Sequence, residues 1–288
     1  MLHADSIEFG VSVFPFAPRP GFMLFLLSPA KTLDYDTPLR TAHEPTMPSF
    51  LPRSAELIKV LKTQSVADIA ALMHLSESLS TLNVERYAAW SPRFTEANSR
   101  PAALAFDGDV YDGLKAPTLS DTDLAWAQDH LCILSGLYGV LRPLDRMQPY
   151  RLEMGTALPT ARGATLYDYW GDTLAEHLNE RLAADASPVI VNLASNEYFR
   201  AVRRKVLKAR VVECVFEDWK NGQYKVISFF AKRARGLMAR HAVKKRLATP
   251  KGLDKFNADG YRFDPAASQP DRLVFRRRLP EGGQAEST

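Results

Sequence analysis

The run Phe22-Met-Leu-Phe-Leu-Leu, closed by Ser28 and Pro29, has no polar residue on either alternate position. A strand apolar at every position needs cover on both faces, and the helices of a parallel sheet supply that cover most readily. Val189-Ile-Val-Asn-Leu193 has the same character. Two such strands, separated by long helix-like stretches, commit the chain to an α/β fold.

The intervening segments carry helix start signals. Ser54 precedes Leu57, Ile58 and Leu61. Ser65 with Asp68 precedes Ile69, Leu72 and Met73, and Ser76 precedes Leu79 and Leu82. A Ser oxygen accepts from an orphan N–H of the first turn, and an acid three residues on suits the helix dipole. Ala102–Phe106 reads as a second short strand. Ser120 with Asp123 opens a helix running through Leu124, Leu131 and Leu134, and Thr165–Leu182 reads as one helix with a leucine stripe. Asn221-Gly222 between Val211–Trp219 and Gln223–Phe230 signals a hairpin, because both turn positions must tolerate positive φ. Ala231–Leu247 reads as a basic helix and Leu273–Phe275 as a final strand. With 46% hydrophobic and 24% charged residues in 288, the chain can bury a large core. No linker or repeat interrupts it. A single mixed α/β domain over residues 23–278 is expected, with 1–22 an extension, disordered or preceding the true start, and 279–288 a disordered tail.

Charge is distributed unevenly. Residues 1–199 carry 15 basic and 24 acidic side chains, a net of −9; residues 200–278 carry 22 and 7, a net of +15. A one-sided field of that size attracts polyanions. Its runs are Arg200–Arg210, Lys232–Arg246 and Arg276–Arg278, and they make the phosphate backbone of DNA the expected partner. Two cysteines, Cys132 and Cys214, suit a reducing cytoplasm, and no apolar run is long enough to cross a bilayer. No membrane association and no obligate protein partner is indicated.

Several chemistries are excluded. Ser28-Pro-Ala-Lys31 has the Ser-x-x-Lys spacing of acyl enzymes, yet Pro29 and a preceding strand oppose the helix that spacing requires. Gly108 to Gly113 has P-loop spacing, but Leu114 stands where the phosphate-binding Lys belongs. The histidines have no ligand-like spacing, so no transition-metal site and no cofactor is implied. A carboxylate metal site from Asp107, Asp109 and Glu153 is the weakest reading. Ser135-Gly-Leu-Tyr-Gly139, leading to Arg142 and Asp145, suggests either a tight phosphate-binding turn between helices or a plain helix C-cap. Asn192-Leu-Ala-Ser-Asn-Glu197 suggests either a ligand site at a strand's end or simple N-capping.

The blocks Leu27–Asp34, Gly108–Tyr111, Leu134–Asp145, Pro149–Met154, Asn192–Ser195 and Lys232–Met238 together resemble the YaaA family, also called DUF328 or UPF0246, from Met23 to about Arg277. The resemblance implies a cytoplasmic bacterial protein that protects against hydrogen peroxide, in association with lower unincorporated iron. It also implies a mixed α/β fold with a basic cleft, a helix–hairpin–helix-like element and DNA binding. On this chain it points to Gly136, Gly139 and Arg142, and to Lys232, Arg235 and Arg240. Lys31 and Arg151 join them as cations in otherwise uncharged motifs. No catalytic residues come with the resemblance. The alternative is an enzyme acting on a nucleotide-like or phosphorylated small molecule around Lys31, Arg142 and Arg151, with Lys31, Ser28 and Glu153 as catalytic candidates. Lys31 as a nucleophile or base requires burial beside Arg142 or Arg151.

Overall fold

The computed structural model describes residues 22–39 and 43–278. The expected extension, apart from Phe22, and the expected tail lie outside the described residues. Strand β1 (Met23–Leu27) is the first apolar run, and every one of its residues is fully buried. After the short β2 (Thr32–Leu33), helix α1 (Leu51–Leu61) begins at Phe50, with Pro52 in its first turn. Ser54 therefore sits inside the helix, its hydroxyl bonded back to the Phe50 carbonyl, and is not the expected cap. Helices α2 (Val66–Met73) and α3 (Glu77–Ala89) start at Ser65 and Ser76 as read, the first with a full capping box.

Ala102–Phe106 is not a strand. Strand β3 (Arg100–Pro101) runs into a single turn, α4 (Ala102–Ala105), and then into β4 (Phe106–Asp107) and α5 (Asp109–Leu114). Helix α6 (Asp121–His130) has the expected Ser120/Asp123 box but stops at His130. Leu131 and Leu134 belong instead to β5 (Leu131–Ser135), which forms a hairpin with β6 (Gly139–Leu141) ahead of β7 (Arg146–Met147). Gly171, at φ 51°, divides the expected long helix into α7 (Leu166–Trp170) and α8 (Thr173–Arg181). Strand β8 (Val189–Leu193) leads to α9 (Asn196–Phe199). Strands β9 (Arg210–Lys220) and β10 (Gln223–Lys225) form the expected hairpin, with Asn221 and Gly222 both at positive φ. The basic helix α10 (Ser228–Lys245) starts three residues earlier than read, and β11 (Arg262–Phe263) and β12 (Arg272–Arg277) are the last elements among the described residues.

Among the described residues eight strands make the main sheet, in the order β11-β12-β9-β8-β1-β5-β6 with β10 paired to β9. Strands β12, β9, β8, β1 and β5 run parallel, with antiparallel neighbours at the edges. From β1 the chain moves to β5 on one side, then crosses back to β8 on the other. The carboxyl ends of β1 and β8 thus flank a topological switch point, where open α/β sheets place their ligands.

Helix α10 crosses α5 at a glycine–glycine contact. A Cβ on Gly236 would stand 1.8 Å from the Val110 carbonyl oxygen, and one on Gly113 would stand 2.2 Å from that of Arg233. Only backbone fits there, and this crossing sets where the cations of α10 lie relative to the sheet.

The expected helix–hairpin–helix element at 135–145 is a correction. The segment before it, β5, pairs as a strand beside β1, Leu141 pairs back onto β5, and Ser135–Gly139 is the turn of a buried β-hairpin. A Cβ on Gly139, at φ 69°, would meet the Trp170 ring at 2.8 Å. Among the described residues no helix is long and apolar enough to cross a membrane.

Candidate functional site

Ser28 is the first residue after β1, and Ser195 follows β8 and opens α9. The Ser195 N–H donates to Ser28 Oγ at 2.9 Å, and Ser28 Oγ donates to Ser195 Oγ at 3.3 Å. The Ser28 carbonyl accepts from the Tyr111 hydroxyl at 3.1 Å. Burial pushes the Tyr111 phenol well above its ordinary pKa, so it remains a neutral donor. These bonds fasten the two strand ends to α5 and form the floor of a cavity of about 630 Å³.

Cations from separate parts of the chain meet at this cavity. Lys31 bonds Glu153 at 3.0 Å, and Arg151 Nη2 reaches the same carboxylate oxygen at 3.0 Å. Gly136 makes this possible: its missing side chain lets the backbone at Leu152 and Glu153 pass, since a Cβ there would stand 2.3 Å from the Leu152 carbonyl. Helix α10 presents Ser228, Lys232 and Arg235, four and three residues apart and hence on one face. Lys232 stands 4.0 Å from Asp109. Arg235 forms no hydrogen bond or ion pair among the described residues, and burial lowers its pKa. It also lines a second cavity of about 370 Å³ with Asn192, Glu213 and Arg272. Glu197, which also lines the first cavity, accepts from the Gly155 N–H at 2.9 Å.

The geometry divides the expected site. Ser28, Lys31, Glu153, Lys232 and Arg235 line one cavity, with Arg151 joined to it through Glu153. Arg142 lies apart, two strands from β1 at the sheet edge, where it grips Asp145 at 2.9 Å. Gly136 and Gly139 are buried packing positions. Arg240 donates to the Leu114 and Lys115 carbonyls at 3.0 and 3.1 Å and so caps α5. A pocket containing Lys31, Arg142 and Arg151 together is therefore not formed. Lys31 has 64% of its side chain exposed and pairs with a carboxylate, the reverse of what a buried nucleophilic amine needs. Asp107, Asp109 and Glu153 do not gather as a metal site; among the described residues no group of three or more His, Cys, Asp or Glu does.

Much of the positive charge of residues 200–278 is engaged. Arg203 pairs with Asp172, Arg210 with Asp271 and Arg233 with Asp259, while Lys244 and Arg246 share Asp123. Arg276 holds Glu217 and Asp264, and Arg277 holds Asp218 in a buried pair. Ser228 was missed because it falls in the stretch read as strand. The step of four to Lys232 and three more to Arg235, extended back from the basic helix, is the signal that finds it.

Fold and cavity together define an α/β protein with a cation-bearing pocket at the carboxyl edge of a largely parallel sheet. Residues 23–267 match the family described as "Peroxide stress protein YaaA". The chain is 65% identical over 256 residues to a UPF0246 protein of Bordetella petrii, covering 89% of this chain and 100% of that one. It is 66% identical over 256 residues to a UPF0246 protein of a Polaromonas species, covering 89% and 99%. It is 64% identical over 256 residues to one of Paracidovorax citrulli, with the same shares. The chain belongs to the YaaA (UPF0246) family.

Proposed function

We propose that this protein serves the peroxide response by binding DNA in the cytoplasm, with a backbone phosphate received in the switch-point cavity by Lys31, Lys232 and Arg235. The observation that carries the reading is Arg235, a partly buried guanidinium with no hydrogen-bond or ion-pair partner among the described residues, opening on the cavity. A planar fork of donors left unmatched in a shielded place is suited to a phosphate oxygen pair. Lys232 lies one turn away on the same face. The net +15 of residues 200–278 supports long-range attraction of a polyanion, although much of it is paired locally. Iron-driven peroxide chemistry cuts DNA, so a protein that occupies DNA limits that damage, and any effect on free iron is indirect.

The test is a salt series with duplex DNA. Binding should weaken steeply with salt, and Arg235→Ala should lower the salt slope by about one unit, as loss of one phosphate contact does. Arg240→Ala should leave the slope unchanged, since its guanidinium caps α5. Salt-independent affinity, or equal effects of the two variants, would overturn the reading.

A second reading takes a phosphorylated small molecule in the same cavity. Ser28, Ser195 and Glu153 favour it, because a surface that only touches phosphate has no need of two hydroxyls and a carboxylate on its walls.

A further inference from the structure

A further chamber of about 610 Å³ adjoins the switch-point cavity and shares Asp107 and Asp109 with it. Its character is different. The floor includes the buried Leu104 and Phe106, and the rim carries Phe229, which is 58% exposed, more than any other large apolar residue among the described residues. The carboxylates of Asp107 and Asp112 have no hydrogen-bond or ion-pair partner among the described residues, whereas Asp34 holds Arg100 and Arg233 is taken by Asp259. The chamber therefore offers an aromatic face and unengaged acceptors in a largely apolar setting.

Helix α10 joins the two chambers. Ser228, Lys232 and Arg235 face the switch-point cavity; Phe229 and Arg233, each one residue on from a member of the α10 face already described, lie on the adjacent face, turned by about 100°. From Phe229 to Arg235 the helix rises about 9 Å. That is a span over which a single nucleotide reaches from base to phosphate.

We infer that the paired chambers form a nucleotide site, resting on the reading of the cationic cavity as a phosphate site. The phosphate lies against Lys232 and Arg235, and the base stacks on Phe229 with its amino group donating to Asp112 or Asp107. Carboxylates accept from the exocyclic amines of cytosine, adenine and guanine; thymine offers no such amine. Aromatic stacking supplies affinity for any base. The site thus takes a nucleoside monophosphate unit with an amino-bearing base. The unit comes either free in solution or as a nucleotide turned out of a strand, at the unstacking cost such extrusion carries.

The experiment is calorimetric titration of the full chain with inorganic phosphate, GMP, AMP, CMP and TMP, repeated on Phe229→Ala, Asp112→Asn and Arg235→Ala. Phe229 and Asp112 are exposed, so neither substitution threatens the fold. Amino-bearing nucleotides should bind more tightly than both phosphate and TMP. Phe229→Ala should cost them about tenfold, the usual scale of a base–aromatic stack, and leave phosphate unchanged. Asp112→Asn should narrow the preference over TMP. Loss of phosphate and nucleotide binding together in Arg235→Ala supports the phosphate end. Unchanged phosphate binding in that variant would overturn the phosphate reading. An unchanged nucleotide-over-phosphate preference in Phe229→Ala and Asp112→Asn would overturn the base chamber alone. The source is separated by 2-aminopurine, itself amino-bearing, placed in duplex DNA. A fluorescence rise on binding that is absent in Phe229→Ala identifies the strand, and no rise beside tight GMP binding identifies the free nucleotide.

Discussion

Replacing Gly236 with Ala should destabilise this protein, against the rule that Ala improves a helix interior by about 1 kcal/mol over Gly. The added Cβ would sit 1.8 Å from the Val110 carbonyl oxygen, with the Val110 carbonyl carbon at 2.8 Å and the Leu114 nitrogen at 2.9 Å. All three are backbone atoms, so no rotamer change relieves the contact. Close C···O contacts in proteins run at about 3.3–3.6 Å, so α5 and α10 must part by roughly 1.5 Å. A radial gap of even ~1 Å forfeits up to about half the dispersion attraction across it, and overpacking usually costs ~1–3 kcal/mol or more. Val110, Leu114 and Met238 are buried beside this crossing and lose packing with it. Because only backbone is met, the upper end of that range applies, and after the propensity gain is subtracted a net loss of about 2 kcal/mol remains, or roughly 4–8 °C in Tm for a chain of this length. Urea unfolding followed by tryptophan fluorescence measures it. The control is Gly222→Ala, where nothing lies within 4 Å and only the φ of 81° resists, at a cost of about 1 kcal/mol. A Gly236→Ala protein as stable as the parent, or more so, would refute the close-crossing argument.

Three further outcomes are expected. His177 has its pKa held down to about 4, mainly by burial and then by Arg181 and Arg142. The unfolded chain therefore takes up the proton first, and stability should fall as pH drops from about 6.5 towards 4, by about 1–3 kcal/mol; His177→Gln should flatten that part of a Tm-against-pH curve. Asp123 is lowered to about 2, chiefly by its bond to Lys244, so its contribution is complete above the ordinary carboxylate range and lost as pH falls towards 2. Asp123→Asn should cost about 1–3 kcal/mol in urea unfolding at pH 7, and a loss under ~0.5 kcal/mol would sink the claim that this carboxylate ties α6 to α10. Gly139→Ala should cost about 2–4 kcal/mol through its positive φ and its clash with Trp170, seen as a changed near-ultraviolet dichroism signal.

What the sequence made legible was what is decided locally or by two-sided burial. β1 and β8 announced themselves because cover on both faces removes every polar residue but Asn192 from them. The Ser65/Asp68 and Ser120/Asp123 boxes marked their helices because a cap is a contact between residues three apart. Leu131–Leu134 misled for the opposite reason. A run of leucine and isoleucine suits a helix or a strand, and what decides it is pairing with β1 more than a hundred residues earlier. The site was half legible on the same grounds. Lys232 and Arg235 share a helix face and could be read together. Ser28 and Ser195 meet only because the chain crosses back from β5 to the other side of β1 to form β8, and Arg142 falls away from Lys31 for the same topological reason. Which arginines are neutralised depended on acids such as Asp123 and Asp172, whose positions no local pattern shows.

The central place of β1 bears on how the chain is made. It is the first strand of the family region, yet its neighbour on one side, β8, ends at Leu193. At about 5–20 residues per second, a ribosome takes roughly 8–30 s to synthesise the 166 residues from the end of β1 to the end of β8. Throughout that interval a five-residue segment with no charge and no proline keeps one hydrogen-bonding edge open, the kind of segment that pairs with a neighbouring copy. Nascent chains of this protein therefore carry an unpaired apolar strand edge until β8 is complete, the kind of exposure that chaperones cover. Synonymous codons that slow translation between β5 and β8 should lengthen that exposure and lower the yield of native protein without altering a single residue, which a comparison of soluble yields from the two coding sequences checks.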